Sequence, residues 1–136
     1  MFRRLAGKTK PRLKLAQSLG AFTRPEQGDI SPLYVFFEVT NAGYESAKVV
    51  RIYASPKSDG PAHDEPLEGD QSPPLTLEPG DTVRVWTRAR TLARNLEEAG
   101  HTGRPRLRLV VEDELGNVHE KRFTFRVDEY ARLRDE

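Results

Sequence analysis

The stretch Leu33-Tyr34-Val35-Phe36-Phe37-Glu38-Val39-Thr40 decides the fold. It is rich in β-branched and aromatic residues, Pro32 stands ahead of it, and Asn41-Ala42-Gly43 closes it, which is how a β-strand is punctuated. Side chains alternate between the two faces of a strand. Leu33, Val35, Phe37 and Val39 therefore share one face, and Tyr34, Phe36, Glu38 and Thr40 share the other. The charge of Glu38 marks the second set as the outer one and leaves the first as the core face.

The same alternation extends in both directions. Arg12 to Leu19 reads as a first strand, with Leu13 and Leu15 on one side and Lys14 on the other. Thr23 to Ser31, carrying Pro25, Gly28 and Asp29, reads as a loop. Ser46 to Ser55 is a third strand in which Val50, Ile52 and Ala54 are expected inward and Val49, Arg51 and Tyr53 outward. Pro56 to Pro74 is rich in Pro, Gly, Asp and Glu and reads as a long irregular connection, with a short edge strand near His63 to Leu67. Leu75-Thr76-Leu77 then enters Glu78-Pro79-Gly80-Asp81, which has proline then glycine at the centre, as a type II turn demands.

Thr82 to Thr87 is the next strand, with Val83 and Val85 toward the core. There the period changes. Leu92, Ala93, Leu96 and Ala99 recur at helical spacing and Gly100 follows, so a short helix is expected over Arg88 to Ala99. Arg106 to Glu112 turns Leu107, Leu109 and Val111 inward. His119 to Val127 does the same with Phe123, Phe125 and Val127, after a turn at Glu114-Leu115-Gly116-Asn117. The charged tail from Asp128 predicts one helical turn anchored by Tyr130 and Leu133. About seven strands, no repeat and one brief helix before the last two strands define an all-β, two-sheet antiparallel sandwich of the immunoglobulin-like kind. Residues 1–11 form a basic, partly disordered lead-in, 12–128 the sandwich and 129–136 the tail.

Three motifs carry a resemblance. Val39-Thr40-Asn41-Ala42-Gly43, Leu77-Glu78-Pro79-Gly80-Asp81 and Val111-Glu112-Asp113-Glu114-Leu115-Gly116-Asn117 resemble the strand end, turn and hairpin of bacterial immunoglobulin-like and fibronectin type III-like sandwich domains. The order of Trp86, the helix and the last two strands is similar to that of a group of short, uncharacterised bacterial proteins. The likeness spans about residues 31–130. It implies a fold, no cofactor and no catalytic residues, because sandwiches of this kind host many unrelated roles. The chain departs from an antibody domain in lacking the two bridging cysteines and in the position of its single tryptophan, Trp86.

The chain has 136 residues, enough for a single domain that buries roughly two thirds of its unfolded surface without a disulfide or metal. With no cysteine, a disulfide framework, a cysteine zinc site and a thiol nucleophile are excluded. The basic start is followed by no apolar h-region, and no stretch reaches the roughly 20 apolar residues of a membrane span. A cytoplasmic, soluble protein is the expectation. Of the three histidines, only His63, in His63-Asp64-Glu65, is followed by two carboxylates, and metal binding is not expected. Glu97 and Glu98 are adjacent on a helix and do not face one another. There is neither a nucleophile elbow nor a phosphate loop. The expectation is a non-enzyme without a cofactor or small-molecule substrate.

Function is therefore sought on surfaces. Net charge is only +1, but Arg3, Arg4, Lys8, Lys10, Arg12 and Lys14 all precede the first acidic residue, Glu26. The third strand and the last two share one sheet in an immunoglobulin-like sandwich. Their outward residues Arg51, Tyr53, Arg106, Arg108, Arg122 and Arg126 then form a candidate polyanion face, which the basic lead-in extends. The alternative is a solvated face neutralised by Glu112, Glu120 and Asp128. On the other sheet, Tyr34, Phe36, Arg84 and Trp86 form a candidate protein-contact surface. The alternative there, favoured because Leu92 and Leu96 need a surface to cover, is that the helix over Arg88 to Ala99, or the terminal strand, folds over them and makes them core. The leading expectation is a non-catalytic protein-interaction or accessory module of a bacterial cytoplasm, its partner an unknown protein. Nucleic-acid or polyanion binding is the second reading, and edge strands allow a homodimer.

Overall fold

The computed structural model describes residues 10–21, 32–56 and 67–133. The lead-in up to residue 9, most of the Thr23 to Ser31 loop and His63-Asp64-Glu65 lie outside the described residues.

Strands β1 (Leu13–Gly20), β2 (Tyr34–Asn41), β3 (Ala47–Pro56), β4 (Glu68–Gly69), β5 (Leu75–Leu77) and β6 (Thr82–Arg88) are followed by helix α1 (Ala89–Glu98). Strands β7 (Arg106–Asp113) and β8 (Val118–Thr124) and a short helix α2 (Val127–Tyr130) complete the chain. The strands form two four-stranded antiparallel sheets, in the orders β1-β2-β6-β4 and β5-β3-β7-β8. This is the expected sandwich, with the third strand and the last two in one sheet.

The inward set of β2 is as its alternation requires. Val35, Phe37 and Val39 are fully buried, and Phe37 meets Phe123 of the opposite sheet with ring centroids 5.6 Å apart. One cluster of buried side chains, which includes Phe37, Ala54, Leu109 and Phe123, fills the end of the sandwich where β6 leaves and β7 enters. A second, with Val39, Val49, Leu77, Val83 and Val111, fills the other end.

Strand β3 corrects the sequence reading. Val49 was expected outward and Val50 inward, yet Val49 is fully buried. The pairing of β3 with β7 shifts between Val49 and Arg51, a β-bulge that leaves Val50 as the extra residue. The bulge reverses the phase, so Ala47 and Val49 point inward before it and Ile52 and Ala54 after it. Uninterrupted alternation cannot represent such an insertion.

Helix α1 sits at one end of the interior. Its buried residues Ala89, Leu92, Ala93 and Leu96 belong to the first cluster. Arg88 gives no side-chain cap, and the first helical N–H, of Ala89, donates instead to the Leu33 carbonyl at 2.9 Å. At the other end Gly100 takes φ 94°, its N–H donates to Glu97 and that of His101 to Leu96. These two bonds form a Schellman motif, in which glycine relieves the left-handed conformation. The last strand ends at Thr124, three residues before its expected limit. Phe125 and Val127 stay buried on the path into α2, and Tyr130 stacks on Phe125 at 5.0 Å.

The turn after β5 is of type II: the Asp81 N–H donates to the Glu78 carbonyl at 2.9 Å and Gly80 has φ 89°. It is bound to the end of β2 by Asn41, whose exposure is 1%. The Asn41 Nδ2 donates to the Leu77 carbonyl at 2.9 Å and the Glu45 carbonyl at 2.8 Å, and Oδ1 accepts from the Gly43 N–H at 2.9 Å. The Asn41 main chain donates to Asp81 and accepts from Gly80. Truncating this amide leaves buried main-chain groups unsatisfied. Asn41→Ala is expected to lower the unfolding free energy by about 1–3 kcal/mol in urea titration, with the denaturant slope unchanged.

Candidate functional site

The outer face of the sheet containing β1 and β2 carries the aromatic residues singled out in the sequence. Phe36 pairs with Trp86 across β2 and β6, and Glu38 with Arg84. The Phe36 ring centroid lies 6.1 Å from that of Tyr34 and 6.2 Å from that of Trp86. The Arg84 guanidinium stands 4.8 Å from the Phe36 centroid and 3.5 Å from Glu38 Oε2. Phe36 is buried, whereas Tyr34 and Trp86 are half-buried and Arg84 is exposed. The expected cover by α1 does not occur, because α1 spends its apolar side on the interior cluster. All four candidates thus stand together on the outside of one sheet.

The arginine face is partly assembled. Arg51, Tyr53, Arg106, Arg108 and Arg122 lie on the outer side of β3, β7 and β8, with Arg108 directly opposite Arg122. Carboxylates interleave with them. Arg51 lies 3.6 Å from Glu112 Oε2 and 4.6 Å from the Tyr53 ring centroid. The Tyr53 hydroxyl donates to the same Glu112 oxygen at 2.9 Å, and Arg108 reaches Glu120 at 2.8 Å. Glu120 thereby offsets the repulsion that two facing arginines carry. Arg106 and Arg122 have no ion-pair partner among the described residues. Arg126 is off the face: β8 has already ended, and Arg126 leads into α2 beside Glu129 at 3.5 Å.

Two polar side chains on the inward phase escaped the sequence reading, although period two places both there. Asp113 follows Leu107, Leu109 and Val111, and its Oδ1 accepts from the N–H groups of Leu115 at 2.9 Å and Asn117 at 3.0 Å. Its Oδ2 lies 2.9 Å from Nε2 of buried His119. A carboxylate only accepts, so Nε2 carries the proton of this bond. Burial pushes the Asp113 carboxyl up, but the bonds from His119, Asn117 and Leu115 outweigh it and hold the carboxyl below the ordinary 3.8. His101 closes the Schellman turn and is not part of this pair. Among the described residues no group of three or more His, Asp or Glu side chains is placed to hold a metal ion, and no helix is long and apolar enough to cross a membrane.

Sequence reasoning also missed a groove where the sandwich opens between the edge strands β1 and β8. It has a volume of about 660 Å³ and is lined by Lys10, Arg12, Lys14 and Lys121, with Leu13 and Leu15 among its apolar residues. Lys14 lies on β1 and Lys121 on β8 of the other sheet, with Lys10 and Arg12 just ahead of β1, so no single stretch of sequence displays all four.

No protein-family model matches the chain, and no curated protein matches it. Among solved structures it is similar to a crystal structure from Bordetella pertussis whose protein is provisionally named ApaA. The identity is 18% and the TM-score 0.43, over 85% of this chain and 94% of that one.

The depressed Asp113 carboxyl sets a sign for acid behaviour. Its folded value lies below its unfolded value, so its contribution is complete above the unfolded value and is lost as pH falls through the folded one. Denaturant titrations over about pH 5 to pH 1 are expected to show a steeper acid loss for the wild type than for Asp113→Asn. At neutral pH the variant is the less stable of the two, since its amide NH₂ meets donors that the carboxylate accepted from.

Proposed function

We propose that the chain is a non-catalytic protein-interaction or accessory module of a bacterial cytoplasmic system, and that it meets its partner through Tyr34, Phe36, Arg84 and Trp86. The observation that carries this reading is the position of the four side chains on the outer face of one sheet, while α1 is committed to the interior. Half-buried aromatics beside an arginine have the composition of interface centres. The sheet orders and the three turn motifs support kinship with immunoglobulin-like and fibronectin type III-like modules.

Polyanion binding is the second reading, and Arg106 and Arg122 favour it because no described carboxylate pairs with them. The pairing of Arg51 with Glu112 and of Arg108 with Glu120 weighs against it as the main role.

Capture of tagged protein from lysate of its own host, with and without nuclease, separates the two. Under the first reading one protein is retained regardless of nuclease, and Trp86→Ala and Arg84→Glu each weaken it at least ~10-fold. Arg84 is exposed, so Arg84→Glu reports on contact even where Trp86→Ala lowers the unfolding temperature. Retention that disappears with nuclease, or that both variants leave intact, overturns the first reading.

A further inference from the structure

We infer that the groove between β1 and β8 binds an extended acidic segment of a partner protein, which adds to the open edge of β8 as a further strand. This surface shares no residue with the aromatic one.

Three observations meet in the groove. The first is charge. Arg12, Lys14 and Lys121 have no ion-pair partner among the described residues, and Lys10 reaches only the Val118 carbonyl at 3.3 Å. The acidic residue lining the groove is Glu120, which is engaged by Arg108. The groove is thus cationic at its rim, whereas the arginine face has carboxylates paired with Arg51 and Arg108.

The second is the main chain. Among the described residues, β8 pairs with β7 on one side only. The Asp113 N–H on Asn117 and the Phe125 N–H on Pro105 set the phase of that pairing. In an antiparallel pair, alternate residues exchange hydrogen bonds with the partner and those between them face away. Val118, Glu120, Arg122 and Thr124 therefore direct N–H and C=O groups toward the open side, as the Lys10 bond to Val118 confirms. Such an edge is a template for an incoming strand.

The third is shape and lining. A volume of about 660 Å³ is that of a ligand cleft. Leu13, Leu15 and Ala42 give it an apolar side, and the aromatic ring among its described lining residues is the imidazole of buried His119, which is held by Asp113. Single-stranded nucleic acid gains much of its affinity by stacking on aromatic rings, and the described lining holds no Phe, Tyr or Trp to stack on. A peptide alternating acidic and apolar residues matches it on every count: carboxylates on the cations, apolar side chains on the leucines, and main chain on β8.

The test uses the full chain and fluorescence anisotropy. The probes are a labelled octapeptide alternating Glu and Val, its Lys-Val counterpart and a labelled oligothymidylate of similar length. The Glu-Val peptide is expected to bind and to weaken as salt rises, and the Lys-Val peptide is not expected to bind. Lys121→Glu and Lys14→Glu each weaken the acidic peptide at least ~10-fold, while Lys48→Glu, at an exposed position of β3 outside the groove, does not. Lys14 and Lys121 are exposed, and thermal unfolding confirms that the variants fold, with Lys121→Gln as the milder replacement.

Glu120→Pro isolates the main-chain contribution. It removes an N–H that faces the open edge rather than β7, where proline is tolerated. It also deletes the groove's carboxylate, so charge alone predicts tighter binding of an acidic peptide, and strand addition predicts weaker. Unchanged or tighter binding by Glu120→Pro overturns strand addition. Absence of Glu-Val binding, binding of oligothymidylate in its place, or indifference to Lys14→Glu and Lys121→Glu overturns the site.

Discussion

The carboxamide of Asn41 joins parts of the molecule that the chain itself keeps apart. It closes the strand that anchors one sheet, holds the turn into β3, and reaches the end of β5 in the other sheet. Its main chain then fixes the type II turn that launches β6. A buried amide is tolerable only when its donors and acceptors are met, and here each bond that meets them also sets the place of a neighbouring element. Asp113 does comparable work at the same end of the sandwich, organising the β7–β8 hairpin through its own carboxylate. Two of the motifs that carry the immunoglobulin-like resemblance meet at Asn41, and the third is built around Asp113.

Much of this architecture was legible in the residues. Period two located β2, β6 and β7 and their core faces, because long one-sided strands have only one burial pattern that hides every apolar group. Helical spacing and Gly100 located α1. The failures have physical causes. A bulge adds a residue without changing composition, so Val49 and Val50 exchanged roles unseen. The end of β8 was overrun because Phe125 and Val127 keep alternating burial after the ladder has stopped. The fate of α1 was misjudged because an amphipathic helix announces that it needs cover, but not which of two apolar surfaces supplies it.

The candidate surfaces were less legible than the fold. The outward direction of Tyr34, Phe36, Arg84 and Trp86 follows from alternation alone, and cross-strand register then brings them together. The arginine face shows the limit of counting charges. Arg51 and Arg108 are outward as expected, yet Glu112 and Glu120 stand within reach of them, and which acid neighbours which base is a matter of register. The groove between β1 and β8 is further out of reach: Lys121 lies more than a hundred positions from Lys10, Arg12 and Lys14, and only the closing of one sheet over the other makes it their neighbour.

Lys121 occupies an inward phase at the rim, where its neighbours along β8 are His119 and Phe123. Two copies of this domain approaching along β8 in antiparallel fashion would bring like ammonium groups onto the same side of the shared sheet. Charged residues that point inward on an edge strand are a known obstacle to such zippering. The lysine that disfavours a second copy of the domain along β8 is thus the same one that suits the acidic segment inferred for that edge.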